Sequence, residues 1–179
     1  MSLLYKLGII GAGAIGRRIV EAVVDGIIEA EIVGMFDKTP SKVQLLLSSF
    51  GISECGLMNV EDMAEKADIV VECASQEAVR MYAPIVLGRG CNLMVMSVGA
   101  LLDDVLLTKL KSMAKEKGCK IYVPSGAVVG IDGLKAASLG RIDKVVLTSS
   151  KPLKSLVGAP FFDKEKIKQK TKVFEGSPR

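Results

Sequence analysis

Between Leu3 and Val123, short apolar runs rich in β-branched residues alternate with longer amphipathic stretches, which is how consecutive βαβ units read. The runs predict strands at Lys6–Ile10, Glu31–Phe36, Asp68–Cys73, Asn92–Ser97 and Lys120–Val123. They show little polar alternation, as expected of strands covered by helices on both faces. Between the first two, Ala14–Ile28 places Ile15, Ile19, Val20, Val23, Val24, Ile27 and Ile28 on one helical face and predicts a crossover helix. Leu102–Lys117 predicts another, with Asp103 and Asp104 in its first turn, Lys115 and Lys117 in its last, and Gly118 placed to end it. Pro84 interrupts the helix expected after Cys73 and predicts a kinked or broken pair, Gln76–Ala83 and Pro84–Leu87.

After Val123 the texture changes. Residues 124–133, Pro-Ser-Gly-Ala-Val-Val-Gly-Ile-Asp-Gly, read as a hinge. Beyond them a short helix is expected around Leu134–Leu139, a strand at Lys144–Ser149 and a loop from Lys151 to Pro160. Two or three strands without a covering helix cannot bury a face, so residues 134–179 are expected to be part of a second domain, completed by further chain or by a second copy.

The turn leaving the first strand is Gly11-Ala12-Gly13-Ala14-Ile15-Gly16. In such a turn the first glycine permits the sharp exit, the second lets backbone approach a pyrophosphate, and the third allows close helix–strand packing, while the amides opening the helix face negative charge. A GxGxxG alone is weak evidence. Here it lies between a strand-like run and an amphipathic helix, and an acid, Asp37, closes the next strand-like run 21 residues after Gly16. The fold expected for residues 1–123 is therefore α/β, a Rossmann-type doubly wound parallel sheet that holds NAD or NADP. The second unit is expected to begin an α+β domain.

Asp37 is placed to accept from both hydroxyls of the adenosine ribose, and its charge repels a 2′-phosphate, which favours NAD. Lys38 follows directly and offsets that repulsion if Asp37 swings away, so NADP stays open. Later strand ends lead into Ala74-Ser75-Gln76 and Ser97-Val98-Gly99. Ligands of doubly wound sheets cross the C-terminal strand ends, where small and hydroxyl residues leave room for a nicotinamide ribose. Ser75 and Ser97 equally suit helix caps, and one residue can serve both purposes.

Composition removes several alternatives. With 49% hydrophobic and 25% charged residues, the chain is globular rather than disordered. No apolar run reaches the roughly 18 to 20 residues needed to cross a bilayer. Cys55, Cys73, Cys91 and Cys119 are widely spaced and there is no histidine, so no metal site is predicted and reduced thiols in a cytoplasm are expected. The net charge of +4 arises in the last segment, where residues 151–179 carry eight Lys and Arg against three Asp and Glu. No aromatics are interleaved with that lysine run, which reads as a solvated face rather than a nucleic-acid surface.

Three later segments carry a family resemblance: Val71-Glu72-Cys73-Ala74-Ser75-Gln76-Glu77-Ala78-Val79, Met96-Ser97-Val98-Gly99-Ala100, and the run from Pro124 to Ala136. Together with Val173-Phe174-Glu175-Gly176-Ser177, they resemble L-aspartate dehydrogenases in order over essentially the whole chain. The resemblance implies NAD(P)-linked oxidation of L-aspartate to iminoaspartate, which hydrolyses to oxaloacetate and ammonia or feeds quinolinate and NAD synthesis. It also implies that Ala127 lies at the nicotinamide end and that the protein is a homodimer joined through its second domain.

One departure matters. Such enzymes use a histidine acid/base in an Asn-x-His-Glu-like segment, and a cofactor-contacting asparagine after Phe-Glu-Gly-Ser. Neither segment occurs in these 179 residues. No catalytic residue is therefore assigned. Lys135 and Tyr122 are the nearest substitutes by position, each needing its pKa lowered by several units, and Lys151 and Lys154 are candidate carboxylate clamps. The expectation is a chain that holds cofactor without the family's proton chemistry. Two other readings remain: a non-catalytic NAD(H)-binding regulatory module, and a dehydrogenase of another small acid or semialdehyde.

Overall fold

A computed structural model describes residues 4–52, 56–125 and 131–150, together with 152, 172, 175 and 176. The chain divides into two units, Met1–Ile131 and Asp132–Arg179.

In the first unit, strands β1 (Tyr5–Ile10), β2 (Ala30–Phe36), β3 (Ile69–Glu72), β4 (Asn92–Val95) and β5 (Ile121–Tyr122) form one parallel sheet in the order β2-β1-β3-β4-β5. The order reverses between β1 and β3, so the C-terminal ends of these two strands open a crevice. All five predicted strands are present, with no end moved by more than two residues.

Helices α1 (Ala14–Val24) and α2 (Pro40–Ser49) enclose one core, built on Leu7, Ile9, Val20, Ile32, Met35 and Val43. Helices α3 (Val60–Lys66), α4 (Gln76–Gly88) and α5 (Asp104–Lys117) enclose the larger one, around Met63, Val70, Val79, Leu87, Leu93 and Leu110. Two separately buried faces explain the nearly continuous apolar strands.

Several expectations need correction. The crossover helix stops at Val24 rather than Ile28. Gly26 takes φ +71°, its amide donates to the Val23 carbonyl (3.1 Å) and the Ile27 amide to the Ala22 carbonyl (2.9 Å), the Schellman arrangement that ends helices. Ile27 and Ile28 therefore lie outside the helix, and Ile15 and Val24 are exposed. Pro84 does not divide its helix: α4 runs unbroken through it, because Ala78, Val79, Ala83, Val86 and Leu87 are buried against neighbouring elements, and this packing outweighs the lost backbone bond. Helices α2 and α3 were not foreseen, although Thr39-Pro40 and Asn59, whose side chain accepts from the Asp62 amide (2.8 Å), are ordinary start signals. Helix α5 ends as expected, with Gly118 left-handed at φ +69°, but begins at Asp104 rather than Leu102: Asp103 is its cap, accepting from the amides of Val105 and Leu106 (both 3.1 Å), and Leu102 closes the preceding 3-10 turn.

In the second unit, α6 (Ile131–Ala137) takes the place of the helix expected at Leu134–Leu139. No strand forms at Lys144–Ser149: Val145, Val146 and Leu147 are exposed, and among the described residues no neighbouring strand pairs with them. The loop expected from Lys151 to Pro160 lies, apart from Pro152, outside the described residues. So does the hinge from Gly126 to Gly130.

Candidate functional site

The C-terminal ends of β1, β2, β3 and β4 are tied together before any side chain contributes. Gly11 N–H donates to the Phe36 carbonyl (2.7 Å), Cys73 N–H to that of Ile10 (2.8 Å) and Met96 N–H to that of Glu72 (2.9 Å). Four connections leaving these ends converge on the crevice.

The first is the glycine turn. Gly11 sits at φ +115°, where a Cβ would fall 2.9 Å from the Cys73 carbonyl carbon and oxygen, so the turn runs against the backbone leaving β3. A Cβ on Gly16 would overlap the Gly11 carbonyl oxygen, so the helix starts in direct contact with the turn. At Gly13 the opposite holds: a Cβ would meet nothing within 4 Å and would project into open space. Helix α1 has no side-chain cap and no acid in its first turn, leaving its opening amides to face that space. A close-approach cradle lined by uncapped amides fits a pyrophosphate. Ala14 and Ile15 flank it, both exposed.

Asp37 closes β2 beside the turn. One carboxylate oxygen accepts from the Ala12 amide (2.9 Å), the other from the Thr39 amide (2.8 Å). Each oxygen retains a lone pair for a further donor. Lys38 is exposed.

The third and fourth connections are Ala74-Ser75-Gln76 and Ser97-Val98-Gly99. Ser75 caps α4, accepting from the Ala78 amide (3.1 Å), and its hydroxyl proton is left for a further acceptor. Ser97 heads the 3-10 turn Val98–Leu102 without capping it; its hydroxyl donates to Glu72 (2.9 Å) instead. The Gln76 side-chain amide lies against Gly99, where a Cβ would displace it.

Glu72 was missed as a separate feature. It is 1% exposed and the only charged residue buried among those described. Its Oε1 accepts from the amides of Ala74 (2.8 Å) and Ser75 (2.9 Å) and from Ser97 Oγ, and its Oε2 accepts from the Ser97 amide (3.0 Å). The signal was an acid ending the apolar run Ile69-Val70-Val71-Glu72.

Residues Gly11 to Gly16, Asp37, Lys38, Ala74 to Gln76 and Ser97 to Gly99 thus gather at one end of the sheet. Ala127 lies outside the described residues. Tyr122 goes elsewhere: with Tyr5, Ala30, Ile69 and Asn92 it lines a cavity of about 320 Å³ near the N-terminal strand ends, away from the glycine turn. Lys135 lies on α6, exposed.

Among the described residues no three His, Cys, Asp or Glu cluster to hold a metal, and no helix is long and apolar enough to cross a membrane. Cys73, Cys91 and Cys119 are free. Burial pushes the Cys73 thiol up from its ordinary 9.0 to about 12, the Glu72 and Asp37 carboxylates adding to it, and pushes Cys91 up to about 11. These thiols keep protons that the unfolded chain releases above 9.0, so their stabilising effect is complete below that value and is lost as pH rises towards 11 to 12. Thermal melts between about pH 8 and about pH 10.5 should therefore show a falling Tm with a shallower fall in Cys73→Ala; an equally steep fall in that variant would count against the assignment.

Residues 11–124 match the family described as homoserine dehydrogenase, NAD binding domain, and residues 132–179 match aspartate dehydrogenase, C-terminal. The chain belongs to the L-aspartate dehydrogenase family. It is 42% identical to the L-aspartate dehydrogenase of Methanosarcina acetivorans over 178 residues and 41% identical to that of Methanocaldococcus jannaschii. Each alignment covers 97% of this chain and 66% of the relative, so the chain spans just under two thirds of their length. The crystal structure of aspartate dehydrogenase from Thermotoga maritima is similar at 27% identity and a TM-score of 0.59, covering 75% of this chain and 51% of that one. A UDP-N-acetylglucosamine 3-dehydrogenase from Acidithiobacillus ferrooxidans, at 18% identity and a TM-score of 0.62 over 77% of this chain and 44% of its own, shares the fold alone. The first unit of this family member is thus an NAD(P)-binding domain.

Proposed function

We propose that this chain carries the cofactor half of an L-aspartate dehydrogenase, acting in the cytoplasm as a homodimer in NAD biosynthesis. The observation that carries this is the uncapped α1 start behind Gly11–Gly16, tied through the Ala12 amide to Asp37. The amides from Gly13 to Gly16 would hold the pyrophosphate, Asp37 would accept from the adenosine ribose hydroxyls, and Lys38 would flank them. Ala74-Ser75-Gln76 and Ser97-Val98-Gly99 would hold the nicotinamide ribose, and the family resemblance assigns Ala127 to the nicotinamide end. Residues 1–123 form the dinucleotide domain, 124–133 the hinge, and 134–179 part of the domain that holds aspartate and the dimer contact.

When bound, the cofactor would supply the hydride acceptor for oxidation at the aspartate Cα. This chain's residues bind and orient it. Deprotonating the substrate ammonium needs a base of near-neutral pKa, and no histidine is present to supply one. Titrating NAD and NADP separately, with and without L-aspartate, tests the reading. NAD is expected to bind more tightly than NADP, with no aspartate-dependent NADH formation at the rate of a full-length relative. Failure of both cofactors to bind would overturn the proposal, and aspartate oxidation at the full-length rate would overturn the missing base.

A further inference from the structure

A buried carboxylate at the end of an apolar strand is costly unless donors surround it, and a valine at position 72 would have continued the run at no such cost. Among the described residues, the partners of Glu72 are four hydrogen-bond donors and no cation. All four belong to the connections leaving β3 and β4, so the carboxylate sets the separation of two loops that share no strand. It also fixes the polarity of one hydroxyl there, that of Ser97, while the Ala78 amide fixes that of the other, Ser75. Ser97 spends its proton on Glu72 and is left with lone pairs, so it meets a ligand only as an acceptor. Ser75 spends a lone pair on the Ala78 amide and keeps its proton to donate.

We propose that Glu72 is a positioning residue that holds these loops at a fixed separation, so that Ser75 as donor and Ser97 as acceptor engage a sugar hydroxyl. A hydroxyl group both donates and accepts, which matches this pair. The inference rests on the reading above, in which the nicotinamide ribose crosses the two loops. In Glu72→Gln an NH2 group takes the place of one accepting oxygen and meets the donors which that oxygen served, and the polarity of Ser97 is no longer fixed.

The test compares NADH, ADP-ribose and ADP by calorimetry on the 179-residue chain. ADP-ribose keeps the second ribose without nicotinamide, and ADP lacks both. Glu72→Gln is expected to weaken NADH and ADP-ribose about tenfold, the size of one hydrogen bond to a charged partner, and to leave ADP within about twofold. Ser97→Ala is expected to show the same pattern, to add little in the Glu72→Gln background, and to be rescued by Ser97→Thr. If Glu72→Gln does not fold, the Ser97 variants carry the test. Equal weakening of all three ligands, as a merely structural role would produce, overturns the proposal, and so does no weakening of any. Failure of the unaltered chain to bind ADP and NADH would instead overturn the cofactor reading itself.

Discussion

Gly16→Ala is expected to reduce NADH affinity by about a thousandfold, and Gly13→Ala by about as much without lowering Tm. The two glycines fail for different reasons. A Cβ on Gly16 overlaps the Gly11 carbonyl oxygen, which is backbone and has no rotamer through which to retreat. The turn must therefore open, and Gly11 is itself held at φ +115° against Cys73. Moving it removes two or more amide-to-phosphate hydrogen bonds at about 2 kcal/mol each, about three powers of ten in affinity. Stability falls as well, because the same displacement disturbs the Ile9 and Val20 packing below the turn. At Gly13 nothing in the protein lies within 4 Å of the added carbon, so folding is untouched and any loss is steric exclusion of the ligand. Calorimetry and thermal melts on both variants check the pair. A Gly13→Ala chain that binds NADH normally would show that no phosphate approaches Gly13.

The parts of the site that were legible in the sequence are those that backbone geometry dictates. Gly11 and Gly16 stand out because a Cβ at either would run into backbone, Gly13 because a Cβ there would project into the open space before the helix, and Asp37 because it closes the second strand. The strands were legible for a related reason: burial on both faces leaves runs such as Ile69-Val70-Val71 with nothing polar to confuse their period. Helix ends were less so. Asp25-Gly26 is a stop signal, yet the apolar face continued numerically through Ile27 and Ile28, and periodicity says nothing about which apolar residues find a partner. The unbroken α4 shows the reverse error, since Pro84 weakens the helix locally and only tertiary packing keeps it whole. Glu72 was hidden because its role is defined by residues 25 positions away, and no local pattern brings Ser97 to it. Lys144–Ser149 looked like a strand because β-branched residues favour extended backbone, but a strand also needs a neighbour.

Asp37→Asn is expected to shift the ratio of NAD to NADP affinity by about a hundredfold towards NADP, mostly through weaker NAD binding. Each carboxylate oxygen already serves one backbone amide, Ala12 at 2.9 Å and Thr39 at 2.8 Å, and keeps a lone pair for a further donor. Two ribose hydroxyls donating there form charge-assisted bonds of about 1.5 to 3 kcal/mol each. An asparagine has one acceptor oxygen, so it cannot serve both amides, let alone both amides and both hydroxyls. NAD affinity then falls by about ten- to a hundredfold, while the repulsion that a 2′-phosphate meets from the carboxylate disappears. Lys38, exposed on the next position, becomes an uncompensated cation beside that phosphate. Titrating both cofactors against the variant measures the ratio directly. A fall of equal size for NAD and NADP would mean that Asp37 acts only by holding Ala12 and Thr39 and never meets the ribose; the expected outcome is a loss confined to NAD.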